Sequence, residues 1–349
     1  MSSSSRPTAS SLLPLDLSRL LRAPMGRRAA LGGGAALAAA ALAACSGPGG
    51  ASGDGTRVMT TAYALSYLVK GVVGESAEVI DLAKPGVDAH GLELSVSEVS
   101  QLADADLVVM IPGFQTAVDD ALASHGSDNA LAVDSAIELL PSDAAEAGHD
   151  EHAGESAEEH AEHAEEGSDA GGEEEHDHGD TDPHFWHDPS LMAQVAVAIG
   201  DRLAEIDPDG ASTYRDNAQS LSTDLEALDA ELEELFGAID GPKPFVTSHT
   251  AFAYLAHRYG LEQIGITGVD PEVEPSPQRL LELESVIQEE GVTTVFFETT
   301  ASPKVAQTLA DKLGIEAAEL DNLETQLDES VDYPAVMRSN AEALAASWR

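Results

Sequence analysis

The stretch DLVVMIPG, at residues 106–113, gives the first indication of the fold. Its five consecutive apolar residues lie between Asp106 and a Pro-Gly pair, as is typical of a β-strand buried on both faces. Such strands occur in parallel sheets that helices cover on both sides. The stretch therefore predicts an α/β fold.

Shorter apolar runs alternate with helical patterns on both sides of this strand. The first series has further strands at 58–61, 78–82 and 130–133 and helices at 64–73, 95–103 (with Ser95 as N-cap) and 114–123. A second series follows Gly241-Pro242, with strands at 245–247, 263–267, 293–297 and 316–320 and helices at 251–258, 277–290, 303–313 and 333–347. Alternating strands and helices form parallel sheets with right-handed crossovers. Two α/β lobes, each a parallel sheet flanked by helices, are predicted.

A long helical region separates the two series. It runs from 190 to 206, is interrupted at Pro208, and continues from 211 to 239, with leucines at helical spacing. A helix of this length either connects the two lobes rigidly or packs on the surface of one of them. We predict an N-terminal lobe at 56–207, a connecting helix at 208–239 and a C-terminal lobe at 240–349.

The N-terminus has the features of an export signal. Arg27-Arg28 precede an uncharged run that ends in LAAC at 42–45, and Cys45 is the only cysteine. The run is too short and too rich in Ala and Gly for a membrane span, and LAAC resembles a lipobox. We predict a lipoprotein signal peptide at 1–45, lipidation of Cys45, a flexible tether at 46–55, and an extracytoplasmic protein anchored to the cell membrane.

The charge balance limits the classes of partner. The chain has 63 acidic and 17 basic residues, and its formal net charge is −46. This argues against nucleic acid and anionic lipid as partners and favours cations. Membrane attachment would come from the lipid on Cys45, and a monomer is expected.

A histidine-rich and acidic segment at 143–181 has too few apolar residues to form a core, and we predict a disordered loop. Eight of the twelve histidines of the chain lie between residues 148 and 189. The segment is either a solvated acidic linker or a weak metal-binding tract, and the density of imidazoles favours metal. The candidates for weak sites are His149, His152, His160, His163, His176, His178 and His187.

Four residues are candidates for one tight metal site. His90, His249 and Asp321 follow predicted strands, and His184 lies in the string DPHFWHDP at 182–189. Ligands bind where the carboxyl ends of parallel strands converge, and three imidazoles with one carboxylate suit tetrahedral zinc. Taken singly, each residue has a plainer explanation, such as an exposed loop histidine, a histidine at a helix start or a turn-capping aspartate.

Four strings together resemble the bacterial ABC-transporter solute-binding proteins for zinc and manganese. They are PGVDAHGLE at 85–93, DPHFWHDP at 182–189, SHTAFAY at 248–254 and LDNL at 320–323. The resemblance implies a two-lobed solute-binding protein joined by a long rigid helix, which delivers metal to an ABC permease and is not an enzyme. It also implies metal ligands at His90, His184, His249 and Asp321. His187 and Asn322 depart from the family, which usually has an apolar residue and a proline there.

The resemblance favours Zn(II) as the transported ligand. Manganese-type members tend to have a carboxylate where this chain has His249, and nitrogen ligands favour zinc. Glu298, at the end of a predicted strand, is a candidate hydrogen-bond partner of a ligand imidazole, and Glu93 is a weaker one.

Three alternatives stay open at this point. The first is a manganese or iron carrier of the same transporter class. The second is a zinc-dependent hydrolase, although the sequence has neither a His-Glu-x-x-His helix nor a Gly-x-Ser-x-Gly elbow. The third is an adhesin-like surface lipoprotein, for which no residue argues specifically.

Overall fold

The computed structural model describes residues 55–142, 181–271, 273–300 and 302–349. Several predictions lie outside the described residues. These are the signal peptide, almost all of the tether and of the 143–181 loop, the lipidation site Cys45, and the loop histidines His149, His152, His160, His163, His176 and His178.

The first lobe is built on a parallel sheet of four strands. The strands are β1 (Arg57–Thr60), β2 (Glu78–Asp81), β3 (Leu107–Met110) and β4 (Ala130–Ala132), in the spatial order β2-β1-β3-β4. The helices are α1 (Tyr63–Val73), α2 (Val96–Asp104) and α3 (Thr116–His125). All four residues of β3 are buried, as the apolar run predicts. Ser95 caps α2 in a capping box with Glu98, which confirms the predicted helix start.

Two long helices follow and pack against each other along their length. Asp188 is the N-cap of helix α4 (Pro189–Ile206), and its carboxylate accepts hydrogen bonds from the backbone N–H groups of the first turn. Helix α5 (Ala211–Gly237) has 27 residues, a length of about 40 Å at 1.5 Å per residue. Gly200 permits their close approach, since a Cβ there would lie 2.6 Å from the Cβ of Ala218.

The second lobe repeats the topology of the first. Its strands are β5 (Pro244–Thr247), β6 (Glu262–Gly265), β7 (Thr294–Glu298) and β8 (Glu316–Leu320), all parallel and in the order β6-β5-β7-β8. Its helices are α6 (Ala253–Tyr259), α7 (Pro277–Glu289), α8 (Lys304–Leu313) and α9 (Tyr333–Ser347). Among the described residues, no helix is both long and apolar enough to cross a membrane.

Helix α5 links the lobes, because it packs against α1 in the first and against α6 and α9 in the second. One hydrophobic core runs through both lobes, with Phe114 of the first, Leu225 of α5 and Phe245 of the second in the same cluster. The predicted fold class is confirmed: two lobes of parallel sheet and helices, joined by a long helix. The exact limits of lobes and connector stay a prediction, since the described residues from Gly55 to Arg349 form one compact unit.

The shared core makes α5 a sensitive site for stability. We expect Leu225→Ala to lower the free energy of unfolding by about 2–5 kcal/mol, because it leaves a cavity where α5 meets the core. Glu226→Ala, at the neighbouring exposed position of the same helix, should change it by less than about 0.5 kcal/mol. Urea denaturation of both variants measures the difference. A loss for Leu225→Ala as small as that for Glu226→Ala would show that the buried face of α5 contributes little to the free energy of unfolding.

Candidate metal centre

Four side chains from both lobes meet in the crevice at the carboxyl ends of the strands. His90 lies in the loop after β2, His184 directly before the short 3-10 turn Phe185–His187, His249 after β5, and Glu324 after β8. His90 is 7 % exposed, and the other three are 1 % exposed or less. The topology explains this meeting, since parallel strands deliver their following loops to the same edge of each sheet.

The distances between the four side chains fit a tetrahedral ion. Nε2 of His90 lies 3.1 Å from Nε2 of His184, and Glu324 Oε1 lies 3.5, 3.8 and 3.6 Å from Nε2 of His90, His184 and His249. One ligand atom from each residue lies within 4.8 Å of all the others. A tetrahedron with metal–ligand bonds of about 2.0–2.1 Å has edges of about 3.3 Å. A modest shortening of the longer distances between the four ligand atoms therefore gives the tetrahedral geometry that zinc prefers.

Asp321 does not join this cluster, and the prediction of it as a ligand needs correction. Its Oδ1 accepts a hydrogen bond from the backbone N–H of Leu323, 2.8 Å away, so its carboxylate closes a turn. Leu323 has a φ of 59°, in the left-handed region that L residues rarely adopt. This turn after β8 directs the next side chain, Glu324, towards the histidines instead.

The first lobe holds the turn that carries Glu324. The indole N–H of Trp186 donates to the carbonyl of Asn322 over 2.8 Å, and the backbone N–H of Tyr63 donates to the carbonyl of Glu324 over 3.0 Å. Glu324 Oε2 accepts from the backbone N–H of Ala89. These contacts fix a second-lobe carboxylate by donors from outside its lobe, and they support the strained backbone at Leu323.

One further carboxylate orients a ligand imidazole, and a second lies beside another. Nδ1 of His184 donates to Asp182 Oδ1 over 2.7 Å, which leaves Nε2 with its lone pair directed at the cluster. Nδ1 of His249 lies 3.3 Å from Glu298 Oε1, which also accepts from the backbone N–H of His249. Glu298 therefore lies beside the ring of His249, and its predicted hydrogen bond to that ring stays a prediction. Glu93 is exposed and outside the cluster.

Burial and neighbouring charged groups shift the pKa values of the side chains in the cluster. Burial alone would raise the pKa of Glu324, but the neighbouring imidazoles of His249 and His90 hold it well below its usual value. Burial alone would lower the pKa of His249, but Glu298 and Glu324 outweigh it and raise that pKa to about 10. Burial lowers the pKa of His184. Both shifts favour an anionic Glu324 beside a protonated His249 in the metal-free site.

His187 requires a second correction. It was a candidate for a weak site in the exposed tract, but it is fully buried in the turn before α4. Its ring packs on Phe252 with the ring centroids 4.4 Å apart, and burial holds its pKa well below the ordinary value. The neutral ring of His187 therefore packs like the apolar residue that the family usually has at this position. Because it is buried, it cannot collect metal at a surface.

Sequence reasoning missed Glu324 and Asp182. The signal for Asp182 was its position two residues before His184, where an aspartate can close a turn on the following backbone N–H groups. The signal for Glu324 was a carboxylate three residues after Asp321, but only the backbone conformation between them decides which of the two faces the histidines.

Ligands from two sheet-based lobes, buried where the carboxyl ends of their strands face each other, define a metal-binding solute-binding protein. The comparisons with known proteins agree. The profile of the zinc-uptake complex component A, periplasmic (ZnuA), matches residues 58–347. The chain therefore belongs to the ZnuA family.

Individual relatives support this placement. The zinc-binding protein AdcA of Streptococcus pyogenes serotype M3 is 36 % identical over 293 residues, which are 82 % of this chain and 55 % of AdcA. The chain thus spans about half the length of that relative. The high-affinity zinc uptake system protein ZnuA of Bacillus subtilis is 33 % identical over 306 residues, which are 86 % of this chain and 90 % of that protein.

A solved structure shares the fold. The laminin-binding protein Lmb of Streptococcus agalactiae, a bifunctional protein with adhesin and metal transporting activity, matches with a TM-score of 0.69 and 29 % identity. The match covers 84 % of this chain and all of that one.

Proposed function

We propose that this protein binds Zn(II) outside the cytoplasm and delivers it to the ABC permease of a high-affinity zinc uptake system. The observation that carries the proposal is the buried cluster of His90, His184, His249 and Glu324. Three imidazoles and one carboxylate occupy all four positions of a tetrahedral ion. This leaves no open position for an activated water, so the site suits binding and release rather than hydrolysis.

The donor set supports zinc over manganese or iron as cargo. Imidazole nitrogen suits zinc, whereas manganese is better served by carboxylate, carbonyl and water oxygens. The cluster offers three nitrogens to one carboxylate, and His249 supplies nitrogen where a manganese carrier tends to have oxygen.

A competition titration tests the proposal. The probes are Zn(II) and Mn(II), each titrated against a chelator of known affinity, into residues 46–349 and into the same chain lacking residues 143–180. We expect one tight zinc site in both proteins and poor filling by manganese. Absence of a tight zinc site in either protein, or a clear preference for manganese, would overturn the proposal.

Three further features belong to the proposal. The lipid on Cys45 would anchor the protein to the cell membrane, the protein would act as a monomer, and the histidines of the 143–181 tract would collect zinc weakly. Deletion of residues 143–180 should then lower the total zinc bound at saturation while the tight site persists. An unchanged stoichiometry would exclude the collecting role.

Zinc binding should release a proton. Glu298 and Glu324 raise the pKa of His249 to about 10, so we expect His249 to be protonated in the zinc-free protein at pH 7.5, whereas a ligand imidazole must be neutral. The zinc-free form therefore holds one more proton, so the apparent affinity should rise about tenfold per pH unit between pH 7 and 9. Calorimetry in buffers of different ionisation enthalpy counts the proton, and a count near zero would contradict the charge state given to His249.

A further inference from the structure

Tyr254 joins the second lobe to the two chain segments that flank residues 143–180. Its hydroxyl oxygen accepts a hydrogen bond from the backbone N–H of Leu140 over 2.7 Å and donates one to the carbonyl of Asp182 over 2.8 Å. The N–H of Asp182 donates to the carbonyl of Leu140 over 2.7 Å, and Pro141 forms an antiparallel bridge with Thr181. One phenol from α6 therefore binds the chain on both sides of residues 143–180, at Leu140 and at Asp182.

The same short path continues to a metal ligand. Oδ1 of Asp182 accepts from Nδ1 of His184 over 2.7 Å and from the backbone N–H of His184 over 2.9 Å. A single carboxylate oxygen thus sets both the ring orientation and the tautomer of this ligand. Asp182 is 1 % exposed and Tyr254 is 2 % exposed, so water has little access to replace these bonds.

We propose that Tyr254 is a positioning residue for the ligand His184, acting through the backbone and carboxylate of Asp182. The ring of Tyr254 belongs to the core shared by both lobes, so its hydroxyl is a fixed point on the second lobe. Without that hydroxyl, the N–H of Leu140 and the carbonyl of Asp182 lose a buried partner, and Asp182 is free to shift. The inference rests on the proposed function and names a determinant of how long zinc stays bound.

Zinc release from the full chain tests this path. Zinc-loaded wild type, Tyr254→Phe, Asp182→Asn and the double variant are mixed with excess chelator, and the rate of zinc loss is measured. We expect release to be about 10–100-fold faster for Asp182→Asn and about tenfold faster for Tyr254→Phe. The double variant should release zinc no faster than Asp182→Asn alone, because both changes act on the same path.

Tyr214→Phe is the matched control. Tyr214 is also fully buried and its hydroxyl also makes a hydrogen bond, to Asp207 Oδ2 over 2.9 Å, but Asp207 follows α4 and Tyr214 lies in the first turn of α5. The Tyr214→Phe variant should have a lower melting temperature than the wild type and the same rate of zinc release. Equal release rates for Tyr254→Phe and Tyr214→Phe would overturn the inference, and so would rate effects that multiply in the double variant.

The outcomes separate this inference from the proposed function. A wild-type chain that fails to bind one zinc tightly would overturn the proposed function. If the wild type binds zinc tightly but Tyr254→Phe and Tyr214→Phe release zinc at the same rate, only the positioning role of Tyr254 is overturned.

Discussion

Replacing Glu324 by Gln should weaken zinc binding by on the order of 100-fold or more. Loss of a residue that merely orients a ligand costs about 10–100-fold in metal affinity, and Glu324 faces the three imidazoles directly. Its carboxylate is also the one anionic group of the four-residue cluster, so the amide removes the charge that offsets the ion. Competition of each protein with a chelator of known affinity measures the change.

Asp321→Asn is the matched control for Glu324→Gln. An asparagine oxygen can still accept from the N–H of Leu323 and keep the turn, so its zinc affinity should remain within a few-fold of wild type. A greater loss in Asp321→Asn than in Glu324→Gln would restore Asp321 as the ligand and reverse the assignment made from the structure.

Replacing His249 by Ala should abolish tight zinc binding and most of the stabilisation that zinc provides. At a zinc concentration of about 1,000 times Kd, the wild type gains about 4 kcal/mol in the free energy of unfolding. A variant that binds zinc 100-fold more weakly gains about 1.4 kcal/mol in the free energy of unfolding at the same zinc concentration. The change also leaves Glu298 and Glu324 without their cationic neighbour. Thermal unfolding of each protein with and without zinc measures the gain.

His257→Ala tests whether loss of any histidine has this effect. His257 lies on the exposed face of α6, in the same lobe as His249 and outside the cluster. Its zinc-dependent stabilisation should equal that of the wild type. A His249→Ala variant that retained the full stabilisation would place the tight site elsewhere in the chain.

The strands, helices and their order could be predicted from the sequence because they depend on local patterns. The apolar run at 106–113 and the helical spacing of the leucines in α5 are patterns of residues close together in the sequence. The parallel topology follows from the alternation of strands and helices along the chain. The three histidines could be predicted for a related reason. Each lies in a loop next to a predicted element, and parallel strands bring such loops to one edge of the sheet.

The fourth member of the cluster could not be predicted in this way. Asp321 and Glu324 lie in the same short loop, and both are carboxylates. The choice depends on the left-handed conformation of Leu323 and on donors from Trp186 and Tyr63, far away in the chain. Sequence spacing carries no information about those contacts.

The sequence by itself determined two parallel α/β lobes, a long helix between them and a metal site rich in imidazole, because periodicity and loop position are local properties. The tertiary structure decided that Glu324 rather than Asp321 faces the histidines, that His187 is part of the core, and that Asp182 orients His184. These outcomes depend on contacts between residues distant in sequence, such as Tyr254 and Leu140, which are 114 positions apart. Only the packing of the two lobes sets the distances between such groups, and those distances determine which polar groups face the metal site.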